Sequence, residues 1–84
     1  TICNYLDSPP SGNLYGIRMA SSDYNTLSAD VINDIIQPGA GTGYGFYISG
    51  DDNLVTENSL SGNDNNNIQD YGTDNNIYNN YEGP

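Results

Sequence analysis

One stretch of this sequence can be laid on another 22 positions later without a gap. In that alignment Phe46 falls on Ile68, Gly50 on Gly72, Asp52 on Asp74, Asn53 on Asn75, Val55 on Ile77 and Asn58 on Asn80. The upstream segment joins the same template at an offset of 28 or 29, setting Ile17 against Phe46, Met19 against Ile48 and Asn25 against Asn53. Leu27 then meets Val55, Asp30 meets Asn58 and Ile32 meets Leu60. A period of this length marks stacked units, none of which can bury its apolar face alone. The units run over residues 14–42, 43–65 and 66–84, after a partial one at 1–13. In that first piece Thr1-Ile2-Cys3-Asn4-Tyr5-Leu6 resembles the second half of a unit, and Ser8-Pro9-Pro10-Ser11-Gly12 reads as a turn that cannot continue a central strand.

Nothing in the units is helical. Apolar residues alternate two apart, as in Ile17-Arg18-Met19 and Phe46-Tyr47-Ile48, with frequent Gly and Asn and no stripe at the helical period. Each unit therefore predicts short strands joined by turns, in an all-β chain. Stacking places equivalent residues about 4.8 Å apart, so every alignment column becomes a row along the stack. The columns Ile17/Phe46/Ile68, Met19/Ile48, Leu27/Val55/Ile77 and Ile32/Leu60 supply an interior. Asp70 and Glu82 stand where that pattern calls for apolar residues, so the last unit is the weakest: frayed, exposed or covered by a partner. Asn25, Asn53 and Asn75 fall where the chain turns a corner, and Asp30, Asn58 and Asn80 form a second polar column. Carboxamides in such columns can satisfy turn backbone while bonding the units above and below.

The run Gly-[Ile/Phe]-x-[Met/Ile]-x-x-x-x-Asn-x-[Leu/Val]-x-x-[Asp/Asn]-x-[Ile/Leu] resembles the repeat of right-handed parallel β-helix proteins. That family includes pectate-lyase-like enzymes, mannuronan epimerases, phage tailspikes and many microbial surface proteins. The resemblance covers residues 14–82 and implies a right-handed parallel β-helix, a solenoid of three coils of about 22 residues. Such a piece is expected to be part of a longer solenoid or of an assembly, because a few coils bury little and open ends invite association. The resemblance implies no particular activity, since the repeat encodes the scaffold and not a site.

Charge and composition remove most chemistries. One basic residue, Arg18, stands against eleven acidic ones, for a net charge of −10, the wrong sign for nucleic acid or an anionic membrane surface. No apolar run approaches the roughly 20 residues of a spanning helix and no basic-then-apolar leader opens the chain, so a soluble chain without membrane insertion is expected. Its start at Thr1 suggests a processed product or a piece of something longer. With no His, Lys or Trp and only Cys3, the chain lacks a Ser-His-Asp triad, a Cys-His pair and a Cys/His zinc site. Cys3 can form no internal disulfide and reads as a small buried filler. Asn supplies 14 of the 84 residues, and with this charge an Asn-rich disordered segment is the reading that the repeats must overcome.

Function would sit on the outward columns. Arg18, Tyr47 and Gln69 alternate with interior positions on one strand, and Ser28, Thr56 and Tyr78 do so on another. Arg18, Tyr47, Gln69 and Tyr78 make a candidate glycan face, since Tyr offers an apolar body with a polar tip; the plain alternative is that Tyr and Thr simply suit strand surfaces. In the acidic turn Asp23 stacks on Asp51 and Asp52 on Asp74, a candidate oxygen-only Ca²⁺ site against the simpler reading of a solvated turn. The long loop 33–43 carries Ile35 and Ile36, which either pack locally or contact a neighbouring chain.

Two function classes follow. The first is a non-catalytic extracellular building block of a surface layer, fibre, spike or adhesin on a cell or virion, its partners being itself or neighbouring coils. The second is a fragment of a polysaccharide-binding or polysaccharide-processing β-helix. No cofactor is required by either, Ca²⁺ being the one candidate.

Overall fold

The computed structural model describes residues 2–6, 12–37 and 41–84. The Ser8-Pro9-Pro10-Ser11 turn, the Pro38-Gly39-Ala40 part of the long loop and the Cys3 side chain lie outside the described residues. Among the described residues the chain is all-β. Its strands are β1 (Ile2–Leu6), β2 (Leu14–Met19), β3 (Thr26–Ser28), β4 (Val31–Ile36), β5 (Gly43–Ile48), β6 (Leu54–Thr56), β7 (Ser59–Ser61), β8 (Asn66–Asp70), β9 (Asn76–Tyr78) and β10 (Tyr81–Glu82).

These strands form three sheets, ordered β1-β4-β7-β10, β2-β5-β8 and β3-β6-β9, and every pairing is parallel. The chain visits the sheets in one fixed order, in a first pass β2-β3-β4, a middle pass β5-β6-β7 and a final pass β8-β9-β10. Parallel neighbours need a long connection between them, and here each connection is a traverse of the other two sheets. The register pairs Ile17 with Phe46 and Phe46 with Ile68, Leu27 with Val55 and Val55 with Ile77, and Ile32 with Leu60 and Leu60 with Glu82. Strand β1 precedes the first pass, with Ile2 beside Ile32 and Leu6 beside Ile36.

A two-residue device makes each corner. The residue just before the corner position adopts a left-handed backbone in every pass: Tyr24, Asp52 and Asp74 at one corner, Ala29, Glu57 and Asn79 at the next, Asp34 and Gly62 at the third. Only one of these is glycine, so most corners carry the steric cost that a Cβ brings to positive φ. In the middle and final passes the residue that follows offsets it by clamping the pass before. Asn53 Oδ1 accepts the Asn25 N–H at 2.8 Å while Asn53 Nδ2 donates to the Ser22 carbonyl at 3.0 Å. Asn75 repeats this on the Asn53 N–H and the Gly50 carbonyl. At the second corner Asn58 grips the Asp30 N–H and the Leu27 carbonyl, and Asn80 grips the Asn58 N–H and the Val55 carbonyl. At the third, Asn63 accepts the Ile35 N–H and donates to the Ile32 carbonyl. In each case the side chain bonds one N–H and the carbonyl three residues before it, which fixes both height and register between passes. Asn53 and Asn58 are 1% and 3% exposed, so the clamps double as partners for buried backbone that would otherwise go unpaired.

The core lies between the sheets and is centred on the middle pass. Phe46, Ile48, Val55 and Leu60 are fully buried, joined by Leu14, Met19, Ile32 and Ile35. Ile17 and Leu27 above, and Ile68 and Ile77 below, pack against this cluster while remaining partly exposed. Strand β4 continues to Ile36, through residues whose spacing alone suggests a loop, because β1 supplies a partner for Ile35 and Ile36.

Candidate functional site

The outer face of the β2-β5-β8 sheet gathers most of the functional side chains. Its geometry starts at Gly16 and Gly45, whose missing side chains face the interior: a Cβ at Gly16 would lie 2.7 Å from Ile32 Cγ2, and one at Gly45 2.8 Å from Leu60 Cδ2. Ile17 and Phe46, the next residues, also join the core. Two consecutive inward positions break the simple alternation of a strand, in the manner of a bulge. The outward set therefore becomes Tyr15 with Arg18 on β2 and Tyr44 with Tyr47 on β5.

These side chains form one continuous cluster. The Tyr15 and Tyr44 rings stack at 5.7 Å and 9°, and Tyr47 meets both edge-on, at 5.0 and 5.3 Å. Such offset and edge-to-face pairings suit the ring quadrupole. Tyr71, just past β8, tilts against Tyr47 at 5.3 Å. Arg18 places its guanidinium carbon 5.2 Å from the Tyr15 centroid and 5.7 Å from that of Tyr47, within cation–π range. Below Tyr44 and Tyr47 in the register stand Asn66 and Gln69, and Asn66 Nδ2 donates to Gln69 Oε1. Packing leaves Tyr44 only 8% exposed although it lies on the outer face, whereas Tyr71 is 61% exposed. The Tyr44 phenol, with smaller contributions from desolvation and from Tyr47 and Tyr15, raises the Tyr71 pKa above the ordinary tyrosine value.

Arg18, Tyr47 and Gln69 thus fall in one register row on one sheet. Tyr78 does not join them: it lies on β9, beside Thr56, in a different sheet. The four turn carboxylates divide between two columns. Asp23 Oδ1 accepts the Asp51 N–H and Asp51 Oδ1 accepts the Thr73 N–H, each at 2.9 Å, while Asp52 and Asp74 occupy the left-handed corner positions. Among the described residues no three acidic or Cys side chains come together as a metal site. Ile35 is wholly buried in the core and Ile36 is half-buried, both within β4. No helix among the described residues is long and apolar enough to cross a membrane.

Comparison with family models, curated proteins and solved structures finds no match for this chain. The ring cluster consequently stands on its own geometry. Sequence reasoning reached Tyr47 and Arg18 but passed over Tyr15, Tyr44 and Tyr71. The signal for the first two was present in the aligned Tyr-Gly pairs, Tyr15-Gly16 and Tyr44-Gly45. Tyr71 has no aromatic counterpart in the repeat and gave none.

Proposed function

We propose that this chain is a segment of a right-handed parallel β-helix that serves as a non-catalytic scaffold on the outside of a cell or virion, as part of a layer, fibre, spike or adhesin. The observation that carries the reading is the fixed cyclic order of three parallel sheets, held in register by a carboxamide at each corner. The middle and final passes repeat the same bonds at two corners, so the backbone is invested in a rigid rod and the variable side chains are displayed outward. A chain with one cation and eleven anions suits an ion-rich exterior, where counterions screen the repulsion between passes. Neither His nor Lys is present, so proton transfer on such a face would fall to carboxylates and phenols alone, and its stacked Tyr and Arg side chains suit recognition.

The reading is tested by light scattering and negative-stain microscopy of the purified chain across a concentration series, with and without millimolar Ca²⁺. Rods or defined oligomers that grow with concentration or with divalent ions are the expected result. A monomer under all these conditions, or release of products from acidic polysaccharides, would overturn it.

A further inference from the structure

The tyrosine cluster has one end filled and one end open. At the filled end the guanidinium of Arg18 rests over Tyr15 and Tyr47. At the open end Tyr71 touches Tyr47 on one side and turns most of its ring to solvent. From this contrast we propose that the Tyr47–Tyr71 end is a docking site for an arginine-bearing segment of a partner protein, which takes up on Tyr71 the arrangement that Arg18 already has on Tyr15 and Tyr47.

Three observations favour that occupant. The rings hold a guanidinium in the chain itself, so their electron-rich faces are placed for a cation. The net charge is −10, which draws a basic segment in and holds it near the surface. The turn that follows Tyr71 carries the exposed carboxylate of Asp74, and the aligned turn of the middle pass adds that of Asp51, whose Oδ1 accepts the Thr73 N–H, so negative charge flanks this end of the sheet and favours a basic segment. A neutral sugar, the other ligand that stacks on tyrosine, has fewer groups to meet here. The carboxamides of β8, Asn66 and Gln69, bond each other, and the anionic surround gives a neutral ligand no long-range attraction. The site is distinct from the scaffold reading and stands or falls separately, because it needs only the β2-β5-β8 face.

The test is a titration of the full chain, followed through its tyrosine ring resonances by NMR, with a hexapeptide containing two arginines. The same peptide with citrulline in their place and a neutral hexasaccharide serve as competing probes. The arginine peptide is expected to shift the Tyr71 and Tyr47 rings and to bind about five-fold more tightly than its citrulline counterpart. Tyr71→Ala is expected to weaken that binding about five-fold while leaving the amide spectrum of β4 and β7 unchanged, and Tyr71→Phe to retain it. Equal binding to the wild type and to Tyr71→Ala would reduce the effect to diffuse charge and overturn the proposal. Ring shifts with the hexasaccharide and none with the peptide would also overturn it.

Discussion

The middle and final passes are built from aligned residues, yet they are stabilised very differently. In the middle pass Phe46, Ile48, Val55 and Leu60 have a pass on either side and lose all contact with water. In the final pass the partners of Phe46 and Val55, Ile68 and Ile77, remain half-exposed, and those of Ile48 and Leu60 are the carboxylates Asp70 and Glu82. Burial in a stack is therefore a property of having neighbours, not of residue type, and the same side chain contributes most where it is covered from both sides. The clamps follow the same gradient. Asn53 and Asn58 both give and receive them, whereas Asn75 and Asn80 grip the pass above and receive no carboxamide among the described residues.

The largest expected break in this contrast comes from Phe46→Ala. Removing a fully buried ring from the centre of the core should cost about 3–5 kcal/mol, against about 1–2 kcal/mol for Ile77→Ala in the final pass, measured by urea unfolding. Equal costs at the two sites would remove the difference between passes. Next comes the pair Asn53→Ala and Asn75→Ala. The first removes a side chain that is 1% exposed, frees the Asn25 N–H and the Ser22 carbonyl and leaves a void between passes, and is expected to cost about 3 kcal/mol; the second frees the Asn53 N–H and the Gly50 carbonyl but vacates a half-exposed position that water can enter, and is expected to cost about 1 kcal/mol.

Two substitutions should sharpen the comparison by strengthening a weak point. Glu82→Leu restores the apolar residue that the column Ile32/Leu60/Glu82 lacks, and is expected to add about 1 kcal/mol by placing apolar surface of its own beside Leu60. Ala29→Gly relieves a left-handed alanine at φ 57° and is expected to add about 0.5–1 kcal/mol in the same urea experiment. A loss of stability in either variant would contradict the placement of that residue.

The smallest effect is one of pH. The raised pKa of Tyr71 means that the fold favours its neutral phenol, so this contribution is complete below the unfolded tyrosine value and fades as pH rises through the folded one. An absorbance titration compared with that of Tyr71→Phe should assign to Tyr71 a phenol that ionises above the ordinary tyrosine value, and Tyr44→Phe should bring it down.

How much of this was legible in the sequence depends on whether a feature repeats. The columns Asn25/Asn53/Asn75 and Leu27/Val55/Ile77 keep their residue types from pass to pass, so alignment alone places them in one row. The third corner does not: Asn63 grips Ile35, two residues with nothing in common, and no comparison of types could pair them. The outward turn of Tyr15 and Tyr44 was hidden for another reason. Alternation counted back from Ile17 puts Tyr15 inside, and only the close approach of Gly16 to Ile32 reveals the extra inward residue. Left-handed corners at Glu57, Asp52 and Ala29 carry no glycine to announce them. Strand β4 runs past the point where its repeat partner β7 stops because β1 pairs with it, a contact set by the first residues of the chain and not by the repeat.

The central claim, that carboxamide clamps tie successive passes and make the middle one the most stable, is tested most directly by native-state hydrogen exchange on the whole chain. The account expects the amides of Asn25, Asp30, Asn53 and Asn58, each bonded to a clamp, to exchange slowly together with those of β5, and those of Asn75 and Asn80 to exchange orders of magnitude faster. Protection that is uniform across the three passes, or absent from the four clamped amides, would contradict it.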